Sequence, residues 1–219
     1  MNIVITGANR GIGLAMSKIF AENGDKVYGL CRSSSEALDN LGINVITGVD
    51  VATESGLQEM ANALIGVSID VLICNAGILR DEQLGNINVD TIREQFEVNA
   101  LAPLLVVEKL AAQLTNGSKV AMITSRMGSI ADNGSGGRYG YRMSKAALNA
   151  ASMSLSKDLA PKGISVGIYH PGYVQTDMVN MGGDISAHEA ASRLVGLIGE
   201  QSLASSGEFK HSNGQILPW

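Results

Sequence analysis

The chain contains little cysteine, few aromatic side chains and no excess of positive charge. Its two cysteines, Cys31 and Cys74, are too few for a disulfide framework, so we expect a cytoplasmic protein in a reducing environment. Aromatic residues make up 4% of the sequence, and the core must therefore consist mainly of Ala, Val, Ile, Leu and Met. The net charge of −5 argues against broad electrostatic binding of nucleic acid, which needs a basic face.

Long apolar runs and linkers are also missing. No apolar stretch approaches the roughly 18 residues that a membrane span requires, so we expect no membrane segment. The first residues read as a strand, without a charged segment followed by an apolar one, and no signal peptide is predicted. No linker, low-complexity run or repeat divides the chain, so residues 1–219 are expected to form a single domain. No metal site is predicted.

Strand and helix patterns alternate along the whole chain. The strand patterns are mostly continuous apolar runs, typical of strands buried on both faces of a parallel sheet, and they cover Asn2–Thr6, Lys26–Cys31, Asn44–Thr47, Val71–Cys74, Lys119–Thr124, Ser165–Tyr169 and Glu208–His211. Helical patterns cover Gly11–Asn23, Glu54–Leu64, Val89–Leu114, Tyr139–Leu159 and Ala187–Gly199, the third with a kink or division at Pro103. This alternation predicts an α/β fold with a doubly wound, seven-stranded parallel sheet and helices on both faces.

Three glycines lie between the first strand and the first helix. Gly7, Gly11 and Gly13 have the spacing G-x-x-x-G-x-G. Glycine permits a tight turn and a close approach of phosphate to the backbone, and the helix start offers unpaired N–H groups and a positive dipole end. A glycine-rich turn with a purely structural role would have the same composition. The position between strand and helix nevertheless favours a dinucleotide site of the Rossmann type.

The residues after the second strand favour NADP(H) over NAD(H). An NAD site usually has an acidic residue there, bound to the ribose 2′-hydroxyl, whereas this chain has Arg32 followed by Ser33. A guanidinium pairs well with a 2′-phosphate, and Arg10 in the glycine turn could supply a second cation. The alternative is that Arg32 is a solvated surface arginine. Asp50 and Val51, after the third strand, are expected near the adenine edge.

A tyrosine, a lysine and a serine form the candidate catalytic group. Tyr141 and Lys145 are four residues apart, which places them on one face of a helix at a separation of about 6 Å. We expect the lysine to stabilise the phenolate and to lower the tyrosine pKa from about 10, so that the phenol exchanges a proton near neutral pH. Ser125 ends a predicted strand and so lies near the site, whereas Ser129 and Ser135, the other candidates for an orienting hydroxyl, fall in predicted loops.

Together with three further motifs, these residues carry a family pattern. In chain order the matches are Thr6-Gly7-x-x-x-Gly11-x-Gly13, Asn75-Ala76-Gly77, Asn99, Ser125, Tyr141-x-x-x-Lys145 and Pro171-Gly172-x-x-x-Thr176. The chain resembles the short-chain dehydrogenase/reductase family. Within that family it looks most like the sniffer-type carbonyl reductases and the C-factor proteins.

The resemblance implies a role for each matching position. Tyr141 would protonate a substrate carbonyl, Ser125 would orient that carbonyl, and Lys145 would bind the nicotinamide ribose and tune Tyr141. Asn99 would hold a water in the proton relay, and Thr176 would bind the nicotinamide carboxamide. The residues expected to contact the cofactor are Gly7, Asn9, Arg10, Gly11, Ile12, Gly13, Arg32, Ser33, Asp50, Val51, Asn75, Ala76, Gly77, Tyr141, Lys145, Pro171, Gly172, Val174 and Thr176.

The chain departs from the family pattern at three places. Cys74 and His170 stand where asparagine is common, and both are expected to be structural or cofactor-adjacent and not catalytic. Between Thr176 and the next predicted helix lie only the residues of the segment Asp177–Ser186, where many relatives have a longer lid. The short segment predicts an open site with weak selection among carbonyl substrates.

The leading prediction is an NADP(H)-dependent carbonyl reductase that acts on a small carbonyl or alcohol substrate. Two alternatives stay open: a dinucleotide-binding signalling or regulatory protein with incidental turnover, and an alcohol dehydrogenase that works in the oxidative direction. A homodimer is favoured because the family commonly pairs its two long helices across a two-fold axis. Small residues would allow a close approach there, namely Ala146, Ala147, Ala150 and Ala151. The alternative is that this alanine face packs against the subunit's own sheet.

Overall fold

Nine strands are present in the computed structural model, which describes residues 1–219. They are β1 (Asn2–Thr6), β2 (Lys26–Leu30), β3 (Asn44–Ile46), β4 (Ile69–Cys74), β5 (Leu114–Ile123), β6 (Ser165–His170), β7 (Val174–Gln175), β8 (Ile185–Ser186) and β9 (Phe209–His211). Seven of them form one parallel sheet in the order β3-β2-β1-β4-β5-β6-β9. The predicted seven-stranded parallel sheet is confirmed. The pair β7–β8 forms a small second sheet that the sequence did not suggest.

The helices cover both faces of the large sheet. They are α1 (Gly11–Glu22), α2 (Glu36–Asp39), α3 (Glu54–Ala63), α4 (Val89–Phe96), α5 (Ala102–Lys109), α6 (Tyr139–Leu159) and α7 (Ala187–Glu200). A π-helical turn, Glu97–Leu101, joins α4 to α5, and short 3-10 turns occur at Arg126–Gly128, Ala160–Lys162, Asp177–Val179 and Leu203–Ser205. No helix combines the length and the apolar character that a membrane crossing needs.

The prediction of one helical segment over Val89–Leu114, divided at Pro103, is wrong in its extent. The division lies earlier, in the π-helical turn, where the wider backbone ring precedes a proline that has no N–H to donate. The helix ends at Lys109, and Leu114 already pairs with Ile69 of β4 as the first residue of β5. The polar residues after Leu114 hide this strand start from a search for apolar runs.

The core consists of two apolar layers, one on each face of the sheet. In β1, Val4 packs toward the layer that contains α3, α5 and α6, whereas Ile3 and Ile5 pack toward the layer that contains α1 and α7. All three side chains are completely buried. This alternation explains why the strands are apolar at every position and not at every second one.

The strand order places a reversal point between β1 and β4. From β1 the chain builds outward to β2 and β3, and then returns to the other side of β1 to build β4, β5, β6 and β9. At such a point the connections leave in opposite directions and open a crevice at the carboxyl ends of the strands. The glycine turn follows β1 and the motif Asn75-Ala76-Gly77 follows β4, so both line this crevice.

Candidate active site

The glycine turn after β1 is held against the neighbouring strand. The backbone N–H groups of Gly7 and Ala8 both donate to the carbonyl of Leu30, at 2.9 and 3.1 Å. Gly7 has a φ of 68° and Gly11 a φ of 55°, values that side chains rarely adopt. A Cβ at Gly13 would lie 2.2 Å from the carbonyl oxygen of Gly7. The sequence spacing therefore reflects a turn that doubles back on itself with no room for a methyl group.

The start of α1 fits a phosphate group. Its N-cap residue, Arg10, makes no side-chain cap, so no side chain satisfies the first N–H groups of the helix. Asn75 closes the crevice from the β4 side, because its amide donates to the carbonyls of Thr6 and Gly7 at 3.0 and 3.1 Å. The close-packed glycine turn and the uncapped helix start are the features that a dinucleotide pyrophosphate requires, so these residues fit the predicted cofactor.

The end of β2 carries an exposed arginine and no acidic residue. Arg32 makes no ion pair, and Ser33 beside it is also exposed. Asn9 fastens the glycine turn to this segment by donating to the carbonyl of Ser33 at 3.0 Å. Arg10 contacts Asp177 at 3.3 Å in a solvent-exposed ion pair, which is a weak interaction. Two guanidinium groups thus flank the end of β2 and the glycine turn.

The segment after β3 is structured by its own side chains. Asp50 accepts a hydrogen bond from the backbone of Ala52 at 3.1 Å and remains half-buried, while Val51 is buried. Ala76, after β4, donates its N–H to the Thr6 hydroxyl at 3.1 Å, which ties the two strand ends together. The adenine contacts expected of Asp50 and Val51 stay predictions.

The predicted catalytic side chains are brought together and removed from solvent. Lys145 is 4% exposed, Ser125 6% and Tyr141 8%. The ammonium nitrogen of Lys145 lies 5.9 Å from the centre of the Tyr141 ring and donates to the carbonyl of Ile123 at 2.9 Å. The Ser125 hydroxyl accepts from the N–H of Met127 at 3.1 Å, which leaves its own proton free to donate.

The expectation that Lys145 lowers the Tyr141 pKa is wrong in this structure. Burial raises the pKa of Tyr141, and the Ser125 hydroxyl and the charge of Arg138 oppose that rise to a smaller extent. Burial also lowers the pKa of Lys145 from 10.5 to about 8. Desolvation disfavours the charged form of each group, and the ammonium hydrogen-bonds to a backbone carbonyl and not to the phenol.

Asn99 lies in the π-helical turn and is completely buried. Its amide oxygen accepts from the N–H of Ile78 at 2.8 Å, while its amide nitrogen donates to the Ile78 carbonyl at 2.8 Å and to the Ser144 hydroxyl at 3.1 Å. Both amide hydrogens are therefore in use. The side chain joins the loop after β4 to helix α6, and the predicted water relay stays a prediction.

The segment after β6 returns to the glycine turn. The Thr176 methyl lies 3.4 Å from the position that a Cβ of Gly11 would take, so the motif Pro171-Gly172 and the following residues Val174 and Thr176 border the same crevice. The segment 177–186 contains one 3-10 turn and then pairs with β7 through β8. It adds no helix over the catalytic side chains.

The competing serines and histidine have other functions in the fold. Ser129 accepts a hydrogen bond from the Asp132 N–H at 3.1 Å, and Ser135 accepts one from Arg142 at 2.8 Å. His170 packs edge-on against His211 with 4.9 Å between ring centres, and burial lowers its pKa to about 3. A histidine that stays neutral at pH 7 in this way is a poor general base for neutral solution.

Sequence reasoning missed a buried acidic residue beside the site. Glu82, in the loop after β4, is 1% exposed and hydrogen-bonds to Thr91, Gln95 and Gly140. Its position in a polar loop carries no periodic signal. Only the packing of α4 against α6 shows that this carboxylate is enclosed.

The comparison with known families agrees with the geometry of the strand ends. A family model described as short chain dehydrogenase matches residues 1–184. The chain belongs to the short-chain dehydrogenase family. It is therefore an oxidoreductase with the Rossmann-type fold of that family, as the ordered motifs predicted.

Three individual proteins illustrate this similarity. A Rhodococcus enzyme named 1-hydroxy-2-glutathionyl-2-methyl-3-butene dehydrogenase is 36% identical over 223 residues and covers 99% of each chain. The C-signal protein of Myxococcus xanthus is 41% identical over 154 residues, which cover 69% of this chain and 93% of its own. The carbonyl reductase Sniffer of Drosophila melanogaster has a TM-score of 0.93 at 27% identity and covers 100% of this chain and 99% of its own.

The two subgroups predicted from sequence, sniffer-type reductases and C-factor proteins, are thus both among the similar proteins. Other solved short-chain dehydrogenases that match this chain over its full length contain bound NADPH or NADP. A nicotinamide cofactor is therefore bound in several of the structures that this chain resembles.

Proposed function

We propose that the protein is an NADPH-dependent reductase of small carbonyl compounds, with Ser125, Tyr141, Lys145 and Asn99 as its catalytic group. The observation that carries this proposal is the burial of a phenol, a hydroxyl and an ammonium group together at the carboxyl edge of the sheet. Burying three polar side chains without a complete set of protein partners lowers stability, so their presence together favours a chemical role.

The free hydrogen-bonding capacity of these side chains matches carbonyl reduction. The Ser125 proton makes no hydrogen bond to the backbone; it faces the Tyr141 phenol and can donate to a carbonyl oxygen bound beside that phenol. Tyr141 keeps its phenol protonated because burial raises its pKa, and a protonated phenol can donate its proton to the same oxygen. Lys145 uses one ammonium hydrogen on Ile123 and retains two for a ribose hydroxyl and the phenolate that proton transfer leaves.

The residues that would hold the cofactor also support this assignment. When bound, a nicotinamide supplies the hydride of such a reaction. The backbone of the glycine turn would hold the pyrophosphate, and Arg32 and Arg10 would pair with a 2′-phosphate. The lack of an acidic residue at the end of β2 supports NADP(H) over NAD(H), because an acid there would repel that phosphate.

A cleft beside the catalytic side chains is proposed to admit the substrate. It has a volume of about 500 Å³ and is lined mainly by polar loop residues: Asp81, Gln83, Met127, Ser135, Gly136, Gly137 and Arg138. The segment 177–186 contributes no residue to this cleft and no helix over the catalytic side chains. We therefore propose weak selection among aldehydes, ketones and quinones, and small substrates in preference to large ones.

The test is NADPH oxidation by the purified protein against a panel of aldehydes, ketones and quinones. Tyr141→Phe should lower kcat by about 10² to 10⁴-fold and keep NADPH binding, because only the proton donor is lost. Tyr28→Phe, a tyrosine of the core, serves as the matched control and should retain full turnover. Oxidation of the corresponding alcohols with NADP tests the reverse direction, which the name of the Rhodococcus relative suggests. Equal turnover by wild type and Tyr141→Phe would contradict the assignment of Tyr141 as the proton donor.

A regulatory role is the second candidate, and the similarity to C-signal is the observation that favours it. A protein that signals through its folded, cofactor-bound form should bind NADPH with and without the Tyr141 hydroxyl. Binding without turnover on any panel member would favour this role over the reductase.

A cytoplasmic homodimer completes the proposal. The outer surfaces of α4, the π-helical turn and α6 expose large apolar side chains, among them Phe96 (42%), Leu101 (38%) and Met143 (52%). Of the four alanines on α6, Ala150 is exposed and Ala146, Ala147 and Ala151 are half-buried, so the subunit itself covers this face only in part. Sedimentation of wild type and Phe96→Glu tests the dimer, since a charge in the interface should produce monomers.

A further inference from the structure

Glu82 is the one acidic residue of this chain that is classed as buried, at 1% exposure. Its Oε1 atom accepts from the hydroxyl of Thr91 at 2.8 Å and from the amide nitrogen of Gln95 at 2.6 Å. Its Oε2 atom accepts from the backbone N–H of Gly140 at 3.1 Å. No basic side chain forms an ion pair with it. Both oxygens of the carboxylate are therefore satisfied by neutral donors from two different helices.

The helix that carries Tyr141 and Lys145 has no cap of its own. Its N-cap residue, Arg138, has a left-handed φ of 50° and makes no side-chain cap. The carboxylate of Glu82 replaces that cap from a distant loop, and the backbone of Glu82 accepts the N–H of Arg138 at 2.8 Å. A negative group at the first turn of a helix also interacts favourably with the helix dipole.

The contact between α4 and the first turn of α6 is unusually close. A Cβ at Gly140 would lie 2.5 Å from the amide nitrogen of Gln95 and 3.0 Å from the Cα of Ile92. Gln95 in turn accepts the N–H of Arg80 at 2.9 Å, and this bond orients its amide nitrogen toward Glu82. The arrangement fixes the loop after β4, helix α4 and the start of α6 to one another.

We propose that Glu82 is a positioning residue of the reductase, whose carboxylate fixes the first turn of α6 and thereby the position of the Tyr141 hydroxyl relative to Ser125. Tyr141 directly follows the residue whose N–H the carboxylate holds. A misplacement of about 1 Å in a catalytic group can reduce a rate by about 10²-fold. The inference rests on the proposed function, because it concerns the alignment of the proposed proton donor.

Glu82→Gln is the sharpest variant. The amide has the shape of the carboxylate. In wild type both carboxylate oxygens accept hydrogen bonds, whereas in the variant the NH2 group would have to face one of these donors, and that hydrogen bond would be lost. We expect kcat to fall by about 10-fold or more, in line with misalignment, while the dissociation constant of NADPH changes by less than about twofold. Asp90→Asn, an exposed acid on α4, is the matched control and should keep wild-type kcat. A thermal melt shows which variants are folded at the assay temperature.

A second measurement does not depend on turnover. The ultraviolet titration of wild type minus that of Tyr141→Phe isolates the ionisation of Tyr141, which Ser125, Arg138 and Lys145 face. If Glu82→Gln moves the phenol away from Ser125, the Tyr141 pKa should rise, because the stabilising hydroxyl is lost. Removal of a negative charge without movement should instead lower that pKa.

These results separate the two proposals. If no substrate is reduced by the wild type, the reductase fails while the titration still tests the position of Tyr141. If kcat in Glu82→Gln equals that of wild type, or if the Tyr141 pKa falls or stays unchanged, the positioning role is overturned. Thr91→Val, which removes only one of the three hydrogen bonds, should give a smaller loss of kcat in the same direction and serves if Glu82→Gln does not fold.

Discussion

The ammonium nitrogen of Lys145 lies 5.9 Å from the centre of the Tyr141 ring, yet burial shifts the pKa of each group more than the neighbouring group does. The tyrosine is shifted toward its neutral form and so is the lysine. A buried ammonium ion held by one carbonyl is a destabilising feature of the fold. The proposed role of Lys145 toward substrate and cofactor would account for a charge at this position.

Replacement of Lys145 by methionine should therefore abolish turnover and stabilise the protein. The gap between 10.5 and about 8 corresponds to about 3 kcal/mol of unfavourable burial at neutral pH. We expect the free energy of unfolding at pH 7 to rise by about 1 to 3 kcal/mol, since the lost hydrogen bond to Ile123 offsets part of the gain. The stability of wild type should rise with pH from about 8 toward 10.5, because there the unfolded chain binds the proton that the folded one has released. Urea unfolding at pH 7 and pH 10 measures both effects, and a destabilised variant at pH 7 would contradict them.

The rate of carbonyl reduction should decline above about pH 8. Lys145 loses its proton in this range, and the phenolate that forms after proton transfer then lacks its cationic neighbour. The pH profile of kcat/KM reports groups of the free enzyme, so it is the quantity to measure. Lys145→Arg keeps its charge to much higher pH, and any activity that it retains should not show this decline. A wild-type profile that is flat to pH 10 would exclude Lys145 as the titrating group.

Gly13→Ala should prevent cofactor binding. The added methyl group would lie 2.2 Å from the Gly7 carbonyl, which must move and so distort the turn. Gly196→Ala in α7 is the matched control, because its Cβ meets no atom within 4 Å. The control should bind NADPH normally and gain about 0.5 to 1 kcal/mol of stability from the helical alanine. Fluorescence titration with NADPH compares the two, and normal binding by Gly13→Ala would show that the turn is not the pyrophosphate site.

Arg32→Asp should shift the cofactor preference from NADPH toward NADH. A lost charge-assisted hydrogen bond of about 1.5 to 3 kcal/mol corresponds to about 10 to 100-fold in the KM for NADPH, and the new carboxylate adds repulsion. The same carboxylate can accept a hydrogen bond from the 2′-hydroxyl of NADH. Arg193→Ala, at a half-exposed arginine on α7, controls for the loss of surface charge. Parallel assays with NADPH and NADH measure the preference. An unchanged preference would show that Arg32 is a solvated surface arginine that does not contact the cofactor.

Much of this fold could be predicted because the informative residues act locally. The apolar run of β1 and the glycines after it specify a strand, a turn and a helix start without help from distant residues. The helix Tyr139–Leu159 has the predicted bounds, and its i, i+4 spacing places Tyr141 and Lys145 on one face as expected. The seven-strand sheet follows from such local elements once right-handed crossovers are assumed.

The remaining features depend on tertiary packing and leave no local signal. The Tyr141 pKa is raised because the Tyr141 side chain is buried in the folded chain. The spacing of Tyr141 and Lys145 in the sequence does not reveal this burial. The start of β5 at Leu114 depends on its pairing with Ile69 of β4. Glu82 looks like any solvated loop acid until α4 and α6 enclose it.

The contact between Thr176 and the glycine turn has a consequence for the stability of the folded protein in a cell. The cofactor crevice is bordered by residues from the first strand and from the segment after the sixth, so it exists only when nearly the whole sheet has assembled. A nascent or partly unfolded chain has no complete crevice, and free dinucleotide therefore stabilises the finished protein selectively, by about 2.7 kcal/mol at 100 times its dissociation constant. The abundance of folded protein in a cell should thus follow the supply of its own cofactor.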